Sequence, residues 1–445
     1  MIALLAIAGI LIVGGFIYYE THKPASTPVW AVHDQGHPTF TTSTQSINNR
    51  STTSAFGGPT STINISPKSS SSAAPNTDKA VAVSYQQSAS TGYDMSGLPD
   101  CSGYTFLSVA PTSLSGYSLI QPMGNVSSYH GNAGDVLPSN HLYFYLDTNA
   151  QGATLPTTVM APADIKILKI NAKDYGPNGK DNQIYFASCR EVVLMYDHID
   201  TLNSSITSAI NDASHKTCNS DYMIGNTAYQ QCSYSLDNVT LKAGDELGIA
   251  GGPGVTTMAF DFGVYDYRVP PAAFIDPGKM SNLYAVCPLD YYPAGTVKTD
   301  LFNKIENTQK NSEGLPDCGT YMQDKIGTIQ GNWYLPNTSS QGPIPDDHLL
   351  AIIHKNINPS LGIIDWGGTI APSDRLEFTI QSSGLVDREP SQVTADGQVY
   401  CYQNPSYNSK SIVLQLVDSN TLKIEYQSNL CAATSSFNDP STYVR

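Results

Sequence analysis

The chain has 445 residues, of which 14% are charged, and a formal net charge of -15. Ordinary soluble domains carry about 25% charged residues, and an acidic, lysine-poor chain lacks the cations that displace counterions from phosphate, which argues against nucleic acid as a partner. Hydrophobic residues make up 40%, enough for a core, so global disorder is excluded and the length predicts about two domains.

Residues 1–19, MIALLAIAGILIVGGFIYY, contain no charged side chain. As a helix they would span roughly 28 Å, close to the thickness of a bilayer core. This predicts a single-pass N-terminal membrane anchor with Tyr18 and Tyr19 at the headgroups. A basic n-region and a small-residue cleavage site, the marks of a removable signal peptide, are missing. Residues 20–95 are dominated by Ser, Thr, Pro, Gln and Asn without an apolar period, which predicts a disordered stalk.

Eight cysteines follow, at positions 101, 189, 218, 232, 287, 318, 401 and 431, none in a C-x-x-C motif. With N-x-S/T sequons at Asn49, Asn64, Asn125, Asn203, Asn238 and Asn337, they predict an exported body with disulfides and glycans, placed outside the cell. Cys218–Cys232 and Cys401–Cys431 are the expected local pairs.

The body starts at SGLPDC (96–101), and a near copy, EGLPDC, recurs at 313–318. The pair predicts two modules, 96–295 and 316–445, joined by a connecting helix or linker at 296–315. Strand signals dominate both modules: IKILKI (165–170), QIYFAS (183–188), EVVLMY (191–196), and a hairpin at 412–427 turning at Asp418–Asn420. The expected fold class is mainly β, as barrels or sandwiches.

The first module carries an ordered series of motifs: LPSNHLYFYLD (137–147), VMAPADIKIL (159–168), VVLMYDHIDTL (192–202), VTLKAGDELGIAGG (239–252) and MAFDFGVYD (258–266). Over about 130 residues this order resembles the lysostaphin-type zinc metallopeptidases, whose fold is a duplicated-hybrid-motif β-barrel. The resemblance implies a cleft lined by His141, Tyr145, Asp147, His198 and Asp261. His141 matches the family's first zinc-binding histidine, and His198 matches its Tyr-x-His residue. Tyr145 stands where the family has a ligand Asp, and Ala259 and Asp261 replace its His-x-His pair. Zinc catalysis needs three protein ligands and an open fourth position, and only His141 and Asp261 match as metal ligands. Asp147 points the same way as His141 along a strand, but one pleat, about 6.6 Å, beyond Tyr145. Asp266 and Arg268 are expected as an exposed rim ion pair of little energetic weight.

In the second module, His348 and His354 would share a face of a strand. Trp333, Trp366, Tyr334, Tyr400 and Tyr402 either stack on sugar rings or fill a small β core.

The function expected from this pattern is non-catalytic: a membrane-anchored surface protein whose degenerate peptidase-like cleft binds a cell-envelope glycan, peptidoglycan or a surface protein, with no cofactor. The first alternative is an active zinc peptidase acting on peptidoglycan or peptide, with His141 and Asp261 on the metal and His198 as the catalytic residue. The second is a structural subunit of a surface layer or filament.

Overall fold

The computed structural model describes residues 91–445 except 129–134, 175–178, 214, 225–226, 237, 253–257, 341–343 and 407–408. The expected anchor (1–19) and all but the end of the expected stalk (20–95) lie outside the described residues, as do the sequons at Asn49 and Asn64. Among the described residues no helix is long and apolar enough to cross a membrane.

The chain is mainly β. Its first part runs β1 (Tyr117–Gln121), β2 (Leu142–Leu146), β3 (Thr157–Met160), β4 (Ile165–Asp174), β5 (Lys180–Cys189), β6 (Val192–Ile199), β7 (Thr201–Leu202), α1 (Ser204–Asn211), β8 (His215–Ile224), β9 (Thr227–Ser235), β10 (Thr240–Leu241), β11 (Glu246–Ala250), β12 (Ala259–Asp266), β13 (Ala285–Val286) and α2 (Thr296–Phe302). The second part follows as β14 (Gly331–Tyr334), β15 (Leu349–His354), β16 (Leu361–Trp366), β17 (Asp374–Thr379), β18 (Tyr400–Gln403), β19 (Ser411–Asp418), β20 (Thr421–Gln427) and β21 (Ser441–Val444).

The large sheet of the first part has the order β1-β2-β12-β6-β5-β4-β9-β8, with β10 and β13 as side branches. A second sheet, β3-β11-β7, lies over one face of it. Alternation along each strand explains the layering. Phe260, Phe262 and Val264 of β12 point into a shared core with Phe144, Phe186, Tyr196, Val159 and Leu247. Asp261 and Tyr265 therefore point the other way, onto the outer face, which also carries a smaller apolar cluster of Leu168, Val193, Met195 and Tyr265. The turn between β10 and β11 uses Gly244 at φ +88°, the left-handed conformation that glycine tolerates.

The second part is one eight-stranded sheet, β17-β16-β15-β14-β21-β20-β19-β18, that curls into a nearly closed barrel. The hairpin expected at 412–427 is β19–β20, and the residues between the two strands form its turn. Trp333, Trp366, Tyr400 and Tyr402 fill the barrel core, and the indole N–H groups donate to the carbonyls of Ile329 and Pro372. Tyr334 is buried as well. These rings are core and have no face left for a sugar.

The described residues belong to one compact unit. The helix expected at 296–315 is the short α2, whose Leu301 and Phe302 join the first core, followed there by Ile305. A disulfide, Cys287–Cys318, spans the stretch. Residues 123–128 lie against the barrel: Val126 packs on Ala351, Ile353 and Ile363, and the Ser128 amide donates to Asp365 at 3.2 Å. All eight cysteines are paired, as Cys101–Cys189, Cys218–Cys232, Cys287–Cys318 and Cys401–Cys431.

Candidate functional site

The outer face of the large sheet holds a polar chain that runs through five neighbouring strands and the lead-in to β2. Asp261 of β12 is its centre, with 4% of its side chain exposed. One of its oxygens, Oδ2, lies 3.1 Å from His141 Nε2 and 3.5 Å from His198 Nε2. His141, the residue before β2, also places Nδ1 3.0 Å from Asn140 Oδ1. His198 places its Nδ1 3.0 Å from Asp181 Oδ2 of β5. From there the chain continues through Lys173 of β4, 3.4 Å from Asp181 and 3.0 Å from Asp197. Gln183 donates to Asp197, Asn171 to Gln183, and Ser233 of β9 to Asn171.

A local irregularity brings Asp197 and His198 to the same face although they are neighbours in sequence. Between the pairs Asn182–Ile199 and Ile184–Tyr196, two residues of β6 oppose the single Gln183 of β5. This is a β-bulge, which re-aims a side chain. His198 takes φ +64° there, a left-handed conformation uncommon outside glycine.

The electrostatics follow from burial and proximity. Burial alone would lower the pKa of each histidine, but Asp261 beside His141 outweighs it, and Asp181 with Asp261 beside His198 outweighs it further. Both imidazoles are therefore held toward the protonated form, His198 strongly. Burial would raise the Asp261 carboxyl, and the two histidines reverse this and hold it below the usual range. Burial also pushes the Tyr145 hydroxyl up to about 12 with help from Asp261. Asp200, just after β6, is pushed up to about 7, chiefly by burial.

Of the five cleft residues expected from the sequence, His141, His198 and Asp261 meet. Tyr145 shares their face through its place opposite Ala259, but its hydroxyl donates to Gln121. Asp147 lies past the end of β2, where its backbone pairs with Gly116 and Leu155. The Asp266–Arg268 pair is not on an exposed rim. The Asp266 carboxylate is fully buried, takes two bonds from the guanidinium at 2.9 and 2.8 Å, and accepts a third from Tyr291. His348 and His354 do not share a site: His348 ends a short turn beside Thr338, and His354 binds Glu389 at 2.9 Å.

Sequence reasoning missed Lys173, Asp181 and Asp197. Lys173 extends the alternation of IKILKI by two polar-outward steps, and Asp197 sits inside the YDH segment beside His198. That alternation was the available signal.

The residues can be tested as a zinc site. Zinc binds the unprotonated nitrogen of a neutral imidazole. All four ring nitrogens of His141 and His198 already face oxygen acceptors. Among the described residues, two groups bring three ligand atoms within 4.8 Å of one another: Cys101, Cys189 and Glu191, whose thiols are in a disulfide, and Asp181, Asp197 and His198. His141 and Asp261, the two ligands that the sequence resemblance implies, belong to neither group, so among the described residues no third ligand joins them at that spacing.

A cavity of about 470 Å³ opens beside His141, lined by Asp135, Asn140, Lys279, Tyr321 and Asp346 together with apolar residues such as Met280 and Ile344. Burial, then Asp135 and Asp347, push the Asp346 carboxyl up to about 6.

No family model matches this chain, and no curated protein matches it.

Proposed function

We propose that this chain is an exported, membrane-anchored binding protein in which a degenerate lysostaphin-like cleft engages a cell-envelope polymer, glycan or partner protein without catalysis. The observation that carries this reading is the engagement of every ring nitrogen of His141 and His198 by an oxygen acceptor. Imidazoles so placed act as hydrogen-bonded supports of a groove wall, each ring nitrogen being taken up by an oxygen in place of a metal. The neighbouring cavity, with amide, hydroxyl and carboxylate groups among apolar ones, has the mixed lining of a ligand site. Four disulfides support an oxidising compartment.

The test uses the full chain in detergent, assayed for zinc content and for retention on purified peptidoglycan and on immobilised glycans. Retention without stoichiometric zinc, weakened by Asn140→Ala in the cavity wall, is the expected result. Stoichiometric zinc that disappears in Asp261→Ala would sink it.

One observation favours an active zinc peptidase as the second reading. Asp261 Oδ1 is buried and accepts no hydrogen bond among the described residues, so one carboxylate oxygen is unspent beside His141. Under that reading, chelation lowers Tm and stops cleavage of a peptide substrate.

A further inference from the structure

Lys173 and its partners form the most deeply buried charged cluster of the cleft, with side-chain exposures of 4% for Lys173, 2% for Asp181 and 10% for Asp197. A desolvated ammonium is costly unless opposite charges and hydrogen bonds surround it. Lys173 Nζ has both: it lies 3.0 Å from each oxygen of Asp197 and 3.4 Å from Asp181 Oδ2. The same two carboxylates, with His198, bring three ligand atoms within 4.8 Å of one another. Two carboxylates and one imidazole are the donor set of a divalent transition-metal site, with room for a fourth ligand. Asp261, directly opposite Asp197 on the next strand, adds the buried Oδ1, which has no hydrogen-bond partner among the described residues.

We propose that Lys173 is a built-in counter-ion that closes a divalent-metal site formed by Asp181, Asp197 and His198. The strand register places the ammonium there: Lys173 pairs directly with Asp181 across β4 and β5. The bulge in β6 then brings Asp197 and His198 to the same point. A tethered cation satisfies both carboxylates without a free ion, so the cleft keeps its shape where chelators or low metal would empty a zinc site. The inference rests on the non-catalytic reading of the cleft, since it leaves His198 engaged in an internal network.

The test is zinc titration of the full chain, oxidised and in detergent, by calorimetry and thermal melting. Lys173→Ala and Lys173→Met should each bind one Zn2+ per chain and gain about 5 °C in Tm on adding it. Adding Asp197→Asn should abolish both effects, and the wild type should show neither. Folded Lys173 variants whose zinc response does not exceed that of the wild type would overturn the proposal, as would zinc binding that survives Asp197→Asn. Should the variants fail to fold without metal, rescue by Zn2+ supports the proposal and failure of rescue in both overturns it. Wild-type zinc that is lost in Asp261→Ala instead counts against the binding reading, and the Lys173 variants are then read against that baseline.

Discussion

His198 holds Asp181 and Asp261 with its two ring nitrogens, at 3.0 Å through Nδ1 and 3.5 Å through Nε2. An imidazole between two carboxylates satisfies both only when both nitrogens carry protons, which is why its pKa stands well above the ordinary 6.5. A raised pKa in the folded state contributes stability that is complete below the unfolded value and is lost as pH rises through the folded value. Asp261 has the opposite sign: its depressed pKa contributes fully above the ordinary 3.8 and is lost as pH falls through the folded value. The cluster therefore stabilises most between those ordinary values, and Tm should fall on either side. The alkaline decline should flatten in His198→Gln, as measured by thermal melts across pH. Identical alkaline limbs in variant and wild type would remove His198 from the account.

Two ion pairs of the same sheet should differ sharply in weight. Asp266 is fully buried under Arg268, whose side chain is 19% exposed. Asp266→Ala leaves a half-buried guanidinium and the Tyr291 hydroxyl without their shared acceptor and should cost about 3 kcal/mol in denaturant unfolding. Lys242 and Asp164 are 79% and 63% exposed, and Lys242→Ala should change stability by less than about 1 kcal/mol.

The contact between the first sheets and the barrel is close at Gly124, which has φ +76° and whose added Cβ would strike the carbonyl of Thr320 and the amide of Asn356. Gly124→Ala should cost at least about 3 kcal/mol, the sum of a left-handed backbone penalty and overpacking. Gly97 has φ +80° and open space around it, so Gly97→Ala should lose only the backbone part, about 1 kcal/mol. Equal losses in chemical denaturation would show that steric contact at Gly124 is not what matters.

Asn203 is a sequon residue whose side chain is already in use. Its Oδ1 caps α1 through the Ile206 amide at 2.9 Å, and its Nδ2 donates to the Glu246 carbonyl. Asn238 and Asn337 are exposed, with φ +63° and +65°. Expression in a glycosylating host should put glycans on Asn238 and Asn337 and leave Asn203 bare, read by peptide mass spectrometry. Asn203→Ala should cost about 1 kcal/mol as a lost N-cap.

Much of the fold was legible because strand patterns are local. Alternation in MAFDFGVYD set Phe260 and Phe262 against Asp261 before any partner strand was known, and the β19–β20 hairpin followed from its turn residues. The short-range disulfides at Cys218–Cys232 and Cys401–Cys431 were legible for the same reason. Cys101–Cys189, 88 residues apart, was not, since nothing near either cysteine encodes its distance from the other in space.

The candidate site divides in the same way. The sequence by itself set Asp261 opposite Phe260 and Phe262 by strand period, while His141 and His198 were joined to it only by the family resemblance, since plain alternation would have turned His198 to the side of Tyr196. Only the tertiary structure decided what they do there. Lys173, Asp181 and Asp197 enter through register and a one-residue bulge, which are properties of strand pairs and leave no mark within a single strand. A slip of one residue would have turned Lys173 into the apolar core. The observed pairing turns it to the polar face, between the two carboxylates beside His198.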